Sequence, residues 1–233
     1  MANTRKRLGM VIDLDRCIGC WTCAVVCKEE NNVPLGLWWA RILTVGGDNM
    51  DVPEGEYPAV RMNYMPIHCF HCDNPPCVQV CPVGATYKRE DGIVMMDFDK
   101  CIGCRYCTAA CPYTRRYFNW EKPTWPETLK SQLNPDVATR PRGVVEKCTF
   151  CHHRIRKARA KARSENRELT DADVLKLPAC ARSCPAGAIT FGNLNDRQSE
   201  VSRLAGSPRA FRLLEELGTY PKVIYLGETK WRD

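Results

Sequence analysis

The sixteen cysteines of this 233-residue chain fall into four groups of four, with none left over. In chain order, the groups are Cys17-x2-Cys20-x2-Cys23-x3-Cys27; Cys69-x2-Cys72-x4-Cys77-x3-Cys81; Cys101-x2-Cys104-x2-Cys107-x3-Cys111; and Cys148-x2-Cys151 with Cys180-x3-Cys184. In the first and third groups, two residues between thiolates allow one tight loop to hold three corners of a [4Fe–4S] cluster. The fourth thiolate then reaches the other cluster of a pair. The spacing therefore predicts iron–sulfur clusters.

Two internal repeats indicate that the groups form two similar units. Residues 15–20 (DRCIGC) recur as residues 99–104 (DKCIGC), and residues 77–82 (CVQVCP) are matched by residues 180–185 (CARSCP). An apolar run ending in Asp precedes each copy of the first repeat and predicts a strand that leads into a cluster loop. The fourth cysteine of each run is expected at the start of a short helix. Four motifs in two pairs predict two units of the same kind.

Other uses of the cysteines are disulfides, structural zinc and inert buried thiols. Disulfides require an oxidising compartment, and Cys-x2-Cys triplets are poor disulfide frameworks. Zinc fits the fourth group, taken alone, as a zinc ribbon with a long loop. The run of three cysteines at two-residue intervals is not a zinc spacing, so iron–sulfur clusters are the leading interpretation and zinc the alternative for a single site.

The order and spacing of the groups resemble the electron-transfer (beta) subunits of complex iron–sulfur molybdoenzymes. That family includes dimethyl sulfoxide, polysulfide, tetrathionate and arsenate reductases. The similarity extends from about residue 7 to residue 192, and its most specific stretches are CFHCDNPPC (69–77), CPVGA (81–85), CIGCRYC (101–107) and EKCTFC (146–151). The resemblance implies an α+β fold of two nested bacterial-ferredoxin-like modules, each a 4Fe–4S dicluster unit, with loop and helical insertions and a C-terminal extension.

In that family the outer two cysteine groups share their clusters, and so do the inner two. Carried over by motif position, the resemblance implies four sets of iron ligands. They are Cys17, Cys20, Cys23 and Cys184 (set one); Cys27, Cys148, Cys151 and Cys180 (set two); Cys69, Cys72, Cys77 and Cys111 (set three); and Cys81, Cys101, Cys104 and Cys107 (set four). Nitrate-reductase-like relatives have Trp in place of Cys104 and hold a [3Fe–4S] cluster there. This chain is therefore expected to hold four [4Fe–4S] clusters and no catalytic residue.

The nesting of the groups predicts how the chain is divided. The expected parts are an outer module (1–60 and 141–192), an inner module (61–120), two insertions (121–147 and 152–178) and a C-terminal extension (193–233). Prolines in the first insertion predict an ordered, extended loop. Basic residues and alanines in the second favour a helix, which either docks on an acidic partner or membrane surface or presents a solvated face.

Three local patterns predict further elements. Thr170 followed by Asp173 is a capping pair and predicts the start of a helix. In the extension, Ser207-Pro208 predicts a helix that ends at Gly218, with Phe211, Leu214 and Leu217 on roughly one face. Residues 222–226 predict a terminal strand.

The formal net charge of +7 counts every cysteine as neutral. An oxidised [4Fe–4S] core with four thiolates carries −2, so four clusters contribute about −8 and bring the total to about −1. This removes most of the argument for nucleic acid as a partner. Arg16, Lys100, Arg105 and Lys147 flank cluster cysteines, and each either raises a nearby reduction potential or is a solvated surface cation.

All four histidines, His68, His71, His152 and His153, lie close to the cysteine motifs. Imidazole replaces thiolate in Rieske centres. Because every set already has four cysteines, we expect the histidines to pack or to hydrogen-bond near a cluster instead.

The resemblance implies a non-catalytic subunit that relays electrons. One partner would be a catalytic subunit with a molybdenum or tungsten bis-pterin cofactor. The other would be an integral membrane subunit that reacts with quinone, or a soluble carrier. A free-standing polyferredoxin is the alternative. No window approaches the ~18 apolar residues of a membrane span, and residues 9–14 are too short for a signal-peptide core. We therefore expect a peripheral protein, held at a membrane through a partner, on a face that the sequence leaves open.

Overall fold

Short strands and short helices alternate along residues 6–227, the part of the chain that the computed structural model describes. The strands are β1 (Leu8–Asp13), β2 (Arg41–Val45), β3 (Asn63–Ile67), β4 (Thr86–Lys88), β5 (Val94–Met96), β6 (Tyr117–Phe118), β7 (Val145–Glu146), β8 (Ile189–Asn193), β9 (Ala210–Phe211) and β10 (Val223–Leu226). The helices are α1 (Thr22–Glu30), α2 (Pro76–Gln79), α3 (Tyr106–Ala109), α4 (Glu127–Lys130), α5 (His152–Ser164), α6 (Asp171–Val174), α7 (Ala179–Arg182) and α8 (Glu200–Ala205), and a 3₁₀ turn covers Glu215–Leu217. This mixture agrees with the predicted α+β class.

The largest sheet joins the two ends of the described chain. Strand β1 pairs antiparallel with β8 and parallel with β10, and β9 pairs antiparallel with β10. The strand order is therefore β8-β1-β10-β9. Nearly every residue of β1 is buried, which explains its continuous apolar run, because a strand covered on both faces needs no polar alternation.

A smaller hairpin repeats the arrangement of β1 and β8. Strand β5 precedes the third cysteine group and pairs antiparallel with β4, which follows the second group. The equivalence extends to single hydrogen bonds. The Asp13 N–H donates to the Ala188 carbonyl oxygen at 2.8 Å, and the Asp97 N–H donates to the Ala85 carbonyl oxygen at 2.8 Å. In both units the strand pair thus brings two cysteine loops to the same end.

The helices of the cysteine runs begin before the third cysteine. Trp21 and Arg105 have left-handed backbones, with φ of 60° and 61°, and cap α1 and α3. As a result α1 contains both Cys23 and Cys27, whereas α3 ends before Cys111. The expectation that the fourth cysteine starts a helix is wrong, because the turn that closes the Cys-x2-Cys loop already starts it.

The C-terminal part folds as strands where a helix was expected. Strand β9 and the 3₁₀ turn occupy residues 207–218, so the helix predicted there is wrong. Phe211 packs on Tyr225 with 5.7 Å between ring centroids, while Leu214 and Leu217 are exposed, so these residues do not share one buried face. The terminal strand is present as β10. Residues 228–233 of the expected extension lie outside the described residues.

The basic helix α5 forms as predicted, and much of its charge is used within the chain. Arg154 pairs with Glu30 at 2.5 Å, and Arg159 pairs with Asp91 at 2.8 Å. The predicted cap at Thr170 is confirmed, since its side chain and that of Asp173 form a reciprocal capping box at α6. The ion pairs fix α5 against segments of both cysteine units.

The aromatic core connects the large sheet to the cysteine loops. Phe191 and Tyr225 lie on strands of that sheet, and both are fully buried. Phe150, one residue before Cys151, meets Phe191 at 5.1 Å between ring centroids, and Phe70, next to Cys69, meets Tyr225 at 6.2 Å. Burying such a side chain contributes roughly 1.5–3 kcal/mol, so the loops are held by the core itself.

Within residues 6–227, no helix has the length and apolar character needed to cross a membrane.

Candidate metal centres

Set one surrounds a small cavity at the end of β1 and β8. Its four cysteines, Cys17, Cys20, Cys23 and Cys184, all line this cavity. The loop turns at Gly19, whose φ of 67° is in the left-handed region and whose missing side chain makes room for the Tyr64 ring. The structure therefore brings Cys184 together with three thiols from a segment more than 160 residues earlier in the chain.

Set four surrounds an equivalent small cavity in the other unit, which Cys81, Cys101, Cys104 and Cys107 all line. Gly103 takes the place of Gly19, with φ of 70°, and a Cβ there would overlap the Gly143 carbonyl oxygen.

The thiols of sets two and three also lie close enough to one another to interact electrostatically. Burial raises the pKa of Cys27 well above its usual value, and Cys148, Cys151 and Cys180 raise it further.

In set three, burial raises the pKa of Cys72 to about 12, with added contributions from Cys69, Cys77 and Cys111. All sixteen cysteines are free thiols.

Solvent exposure separates sets one and four from sets two and three. Cys20 of set one and Cys104 of set four are exposed. Every cysteine of sets two and three is buried or half-buried. Sets one and four thus each have one exposed thiol, and sets two and three have none.

Backbone N–H groups point at several of these sulfur atoms. Donors are Thr86 to Cys81 (3.4 Å), Ala188 to Cys184 (3.3 Å), Phe150 to Cys148 (3.4 Å) and Ala179 to Cys151 (3.4 Å). The Cys20 thiol bonds the Thr22 hydroxyl at 3.3 Å, and this bond is the main reason that the pKa of Cys20 is lowered. N–H donation to sulfur favours thiolates and tunes a bound cluster.

Buried cations beside the thiols suit a negatively charged group. Arg116 is buried, and its Nε and Nη2 atoms find no oxygen or nitrogen acceptor among the described residues. Burial by itself lowers the pKa of Arg116, but the Cys77, Cys107 and Cys69 thiols outweigh it and raise that pKa. An uncompensated buried cation is costly, whereas a cluster with four thiolates carries −2. The residues present therefore fit a [4Fe–4S] cluster.

The four cations that flank cluster cysteines in the sequence differ in the structure. Arg16, Lys100 and Arg105 are exposed, and the Arg105 guanidinium stacks over the Trp120 ring at 4.5 Å. Lys147 is fully buried, and its Nζ donates to the carbonyl oxygens of Val94 and Cys148. Only Lys147 among these four combines burial with contact to a cysteine residue.

His71 and His153 form hydrogen bonds, whereas neither ring nitrogen of the buried His68 has a hydrogen-bond partner among the described residues. His71 is fully buried, stacks on Phe150 at 3.7 Å between centroids, and accepts the Val94 N–H at 3.1 Å. Burial lowers the pKa of His68 to about 4. His153 shares a 2.6 Å hydrogen bond with Glu30.

Two contributors to the site were missed from the sequence. The Asn31 amide nitrogen lies 3.7 Å from the Sγ atoms of both Cys27 and Cys151. The four-residue spacing from Cys27 to Asn31 is the signal that was available, because a residue at the end of a helix lies on the same side as the residue one turn before it. Arg116 carries no comparable signal, since its burial depends on packing between distant segments.

Two stretches of the chain, residues 16–85 and residues 60–128, match models of the 4Fe–4S dicluster domain. The chain is 50% identical over 225 residues to a Halobacterium salinarum protein named as a dimethyl sulfoxide reductase iron–sulfur subunit, covering 94% of this chain and 78% of that protein. It is 49% identical over 236 residues to the menaquinone reductase iron–sulfur cluster-binding subunit of Nitratidesulfovibrio vulgaris, covering 96% and 89%. It is 35% identical over 248 residues to the arsenate respiratory reductase iron–sulfur subunit of a Shewanella species, covering 94% and 96%.

The chain belongs to this family of iron–sulfur subunits. The resemblance inferred from the cysteine motifs is thereby confirmed, and the chain is an electron-transfer subunit that carries [4Fe–4S] clusters. The dicluster-domain matches cover the first three cysteine groups and decide against zinc and disulfides as the use of those twelve cysteines.

Proposed function

We propose that sets one to four hold four [4Fe–4S] clusters. We further propose that the chain relays single electrons between a molybdenum or tungsten bis-pterin catalytic subunit and a quinone-linked membrane subunit or other redox partner. When bound, a [4Fe–4S] cluster accepts and releases one electron at a time. The protein's own contribution is to space the four sets, to exclude water from sets two and three, and to set the charge environment of all four.

The order of the sets supports a row that runs from set one to set four. Helix α1 carries Cys23 of set one and Cys27 of set two, so these two sets share an element. Burial raises the pKa of Cys148 in set two to about 12, and Cys69 of set three is the thiol that adds most to this shift. Arg116 interacts with thiols of set three and with Cys107 of set four. Neighbouring sets are thus joined one after another.

The ends of this row carry the observation on which the proposal mainly rests. Ile18 beside Cys20 is 62% exposed, and Ile102 beside Cys104 is 64% exposed. These isoleucines are equivalent in the repeat, and exposed apolar side chains around a reactive centre suit docking surfaces. Trp21 and Tyr106 add exposed aromatic surface at the two ends. A relay needs two such ends, whereas an enclosed storage protein needs none.

The relatives' names support the choice of partners. They describe subunits of reductases and of a menaquinone reductase, which indicates one catalytic and one quinone-linked partner for this chain. We propose that the chain is peripheral and is held at a membrane through the second partner. Catalysis would then lie in the first.

Metal analysis of the protein purified from its natural source tests the proposal. We expect about sixteen iron atoms per chain and roughly one molybdenum or tungsten in a co-purifying large subunit. Sixteen iron atoms on a chain that purifies alone would favour the free-standing polyferredoxin. About twelve iron atoms in an anaerobic preparation would contradict the assignment of all four sets.

A further inference from the structure

Asn31 follows the last residue of helix α1, with its side chain buried beside set two. Its amide Nδ2 donates to the Cys27 carbonyl oxygen at 3.0 Å and reaches the Sγ atoms of Cys27 and Cys151 at 3.7 Å each. These two cysteines come from distant segments of the chain. A single amide group therefore bridges the two sides of set two.

An N–H donor at a cluster sulfur stabilises the more negative, reduced state and raises the reduction potential. We propose that Asn31 raises the reduction potential of the cluster in set two, and that residues 134–146 form a clamp that holds Asn31 in place. The proposal rests on the proposed function, since it takes set two as a cluster site. It gives the first insertion a role inside the protein, where the sequence indicated only an extended loop.

Arg140 is the first contact of the clamp. Its Nη1 donates to the Asn31 carbonyl oxygen at 2.6 Å, and its Nη2 donates to the Asn32 carbonyl oxygen at 2.6 Å. The Arg140 side chain in turn pairs with Glu146 on β7, and both side chains are buried. Two charge-assisted bonds to consecutive carbonyl groups fix the backbone from which the Asn31 side chain extends.

Asn134 is the second contact. Its backbone N–H donates to the Asn32 Oδ1 atom at 2.8 Å, and its Nδ2 donates to the Glu30 carbonyl oxygen at 2.8 Å. The Asn32 Nδ2 donates to the carbonyl oxygens of Asn134 at 2.9 Å and Val137 at 2.6 Å. Residues 30, 31 and 32 are therefore all held from one side by the same segment.

The position of Asn31 could in principle serve helix termination alone. The last carbonyl groups of a helix need hydrogen-bond donors, and the Asn31 side-chain Nδ2 supplies one to the Cys27 carbonyl oxygen. The two sulfur contacts are additional, and the clamp restrains the residue more than a surface helix end requires. A purely structural role predicts altered stability without a shift confined to one cluster.

The test is an EPR-monitored redox titration of the complete, natively assembled complex that carries variants of this chain. Asn31→Leu removes the donor and keeps a similar size, so the midpoint potential of one cluster falls while the other three stay at their wild-type values. Asn134→Ala loosens the clamp without removing the amide, so the same cluster shifts in the same direction by less.

Asn193→Leu is the matched control. Asn193 is a half-buried asparagine on β8, and its Oδ1 accepts the N–H groups of Arg7 at 2.8 Å and Asn195 at 3.2 Å. This variant is expected to leave the potential of the shifted cluster unchanged. Where Asn31→Leu lowers the iron content, Asn134→Ala and Asn31→Gln provide the decision, and both must shift the same cluster.

Unchanged potentials in fully loaded Asn31→Leu and Asn134→Ala proteins would overturn the role of Asn31. An equal shift of all four clusters would also overturn it. The wild-type titration separates this result from a failure of the proposed function. Fewer than four titrating clusters in the wild type contradict the four-cluster assignment, whereas four clusters without a shift contradict only the assignment to Asn31.

Discussion

Lys147 and Lys100 each directly precede a cluster cysteine, yet Lys147 is completely buried and Lys100 has 65% of its side chain exposed. The Lys147 Nζ is bonded to carbonyl oxygens of Val94 and Cys148 inside the protein, whereas Lys100 makes a 3.5 Å ion pair with Asp97 at the surface. The two lysines carry the same charge, but one charge lies in the protein interior and the other lies in solvent. A charge in the interior is poorly screened, and one at the surface is screened by water and salt.

The first prediction compares Lys147→Met with Lys100→Met. Loss of the buried charge leaves the nearby cluster sites more negative, so Lys147→Met is expected to lower the midpoint potential of at least one cluster of sets two and three. Lys100→Met is expected to cause a much smaller shift that disappears as salt is added. Redox titration of both variants at low and high ionic strength measures the difference. Equal shifts in the two variants would contradict the importance of burial.

The second prediction concerns the buried pair of Arg140 and Glu146. Removal of one partner leaves the other charge buried without compensation, which typically costs about 3–5 kcal/mol. Arg140→Met is therefore expected to lower the temperature at which the cluster absorbance near 400 nm bleaches. The double variant Arg140→Met/Glu146→Leu is expected to recover much of the loss, because no lone charge remains.

Arg156→Met on the exposed side of α5 is the control for this comparison. Surface substitutions of this kind usually change stability within about 0.5 kcal/mol, so its bleaching temperature should match that of the wild type. A double variant that is less stable than Arg140→Met alone would show that the pair does not act through charge compensation.

The third prediction is a pH dependence caused by Lys222. Burial lowers its pKa to about 8 from a usual value of 10.5, although Asp73 acts in the opposite direction. Below pH 8 the amine is charged in both the folded and unfolded states, and the cost of burying the charge is fully present. Between pH 8 and 10.5 the folded state releases its proton first, so stability rises with pH by up to about 1.4 kcal/mol per unit.

Lys222→Met removes this titration. The stability of the wild type minus that of the variant, measured by denaturation at pH 8 and at pH 10, is expected to increase with pH. Other groups that titrate in this range are common to both proteins and cancel in the difference. A difference that is flat or decreases would show that the Lys222 amine is not the titrating group.

The sequence allowed the local parts of the molecule to be predicted, and the reasons are local as well. The apolar runs before Cys17 and Cys101 form β1 and β5, and Thr170 caps a helix through its own neighbour Asp173. Each of these features depends on residues within a few positions of one another. The cysteine motifs can be recognised in the sequence for the same reason, since their loops are short and repeated.

The parts that were missed depend on contacts between distant segments. The helix expected after Ser207 is replaced by strand β9 and a 3₁₀ turn, because β9 pairs with β10 and Phe211 packs on Tyr225. The buried Lys147 donates to the carbonyl oxygen of Val94, and Arg140 donates to the carbonyl oxygen of Asn31, both across more than fifty residues of chain. Propensity and spacing carry no information about such partners, since each contact requires the folded arrangement of both segments.

The last prediction tests whether the two ends of the row serve different partners. Ile18 and Ile102 are equivalent in the repeat, both are exposed, and each lies beside the exposed cysteine of an end set. Ile18→Glu and Ile102→Glu each add a charge to one end and leave the other end intact. If each end docks a different partner, each variant slows electron transfer with one partner by about tenfold or more, since 1.4 kcal/mol of lost binding corresponds to tenfold.

Electron transfer is measured separately from each side of the assembled complex, with a quinol analogue as donor for one partner and a soluble viologen dye for the other. Each variant serves as the control for its equivalent, because the substitution and the exposure are the same. Iron content must stay at the wild-type value in both, which shows that the end clusters remain in place. Impairment of the same single partner by both variants would contradict the row, because it would place both ends against one subunit.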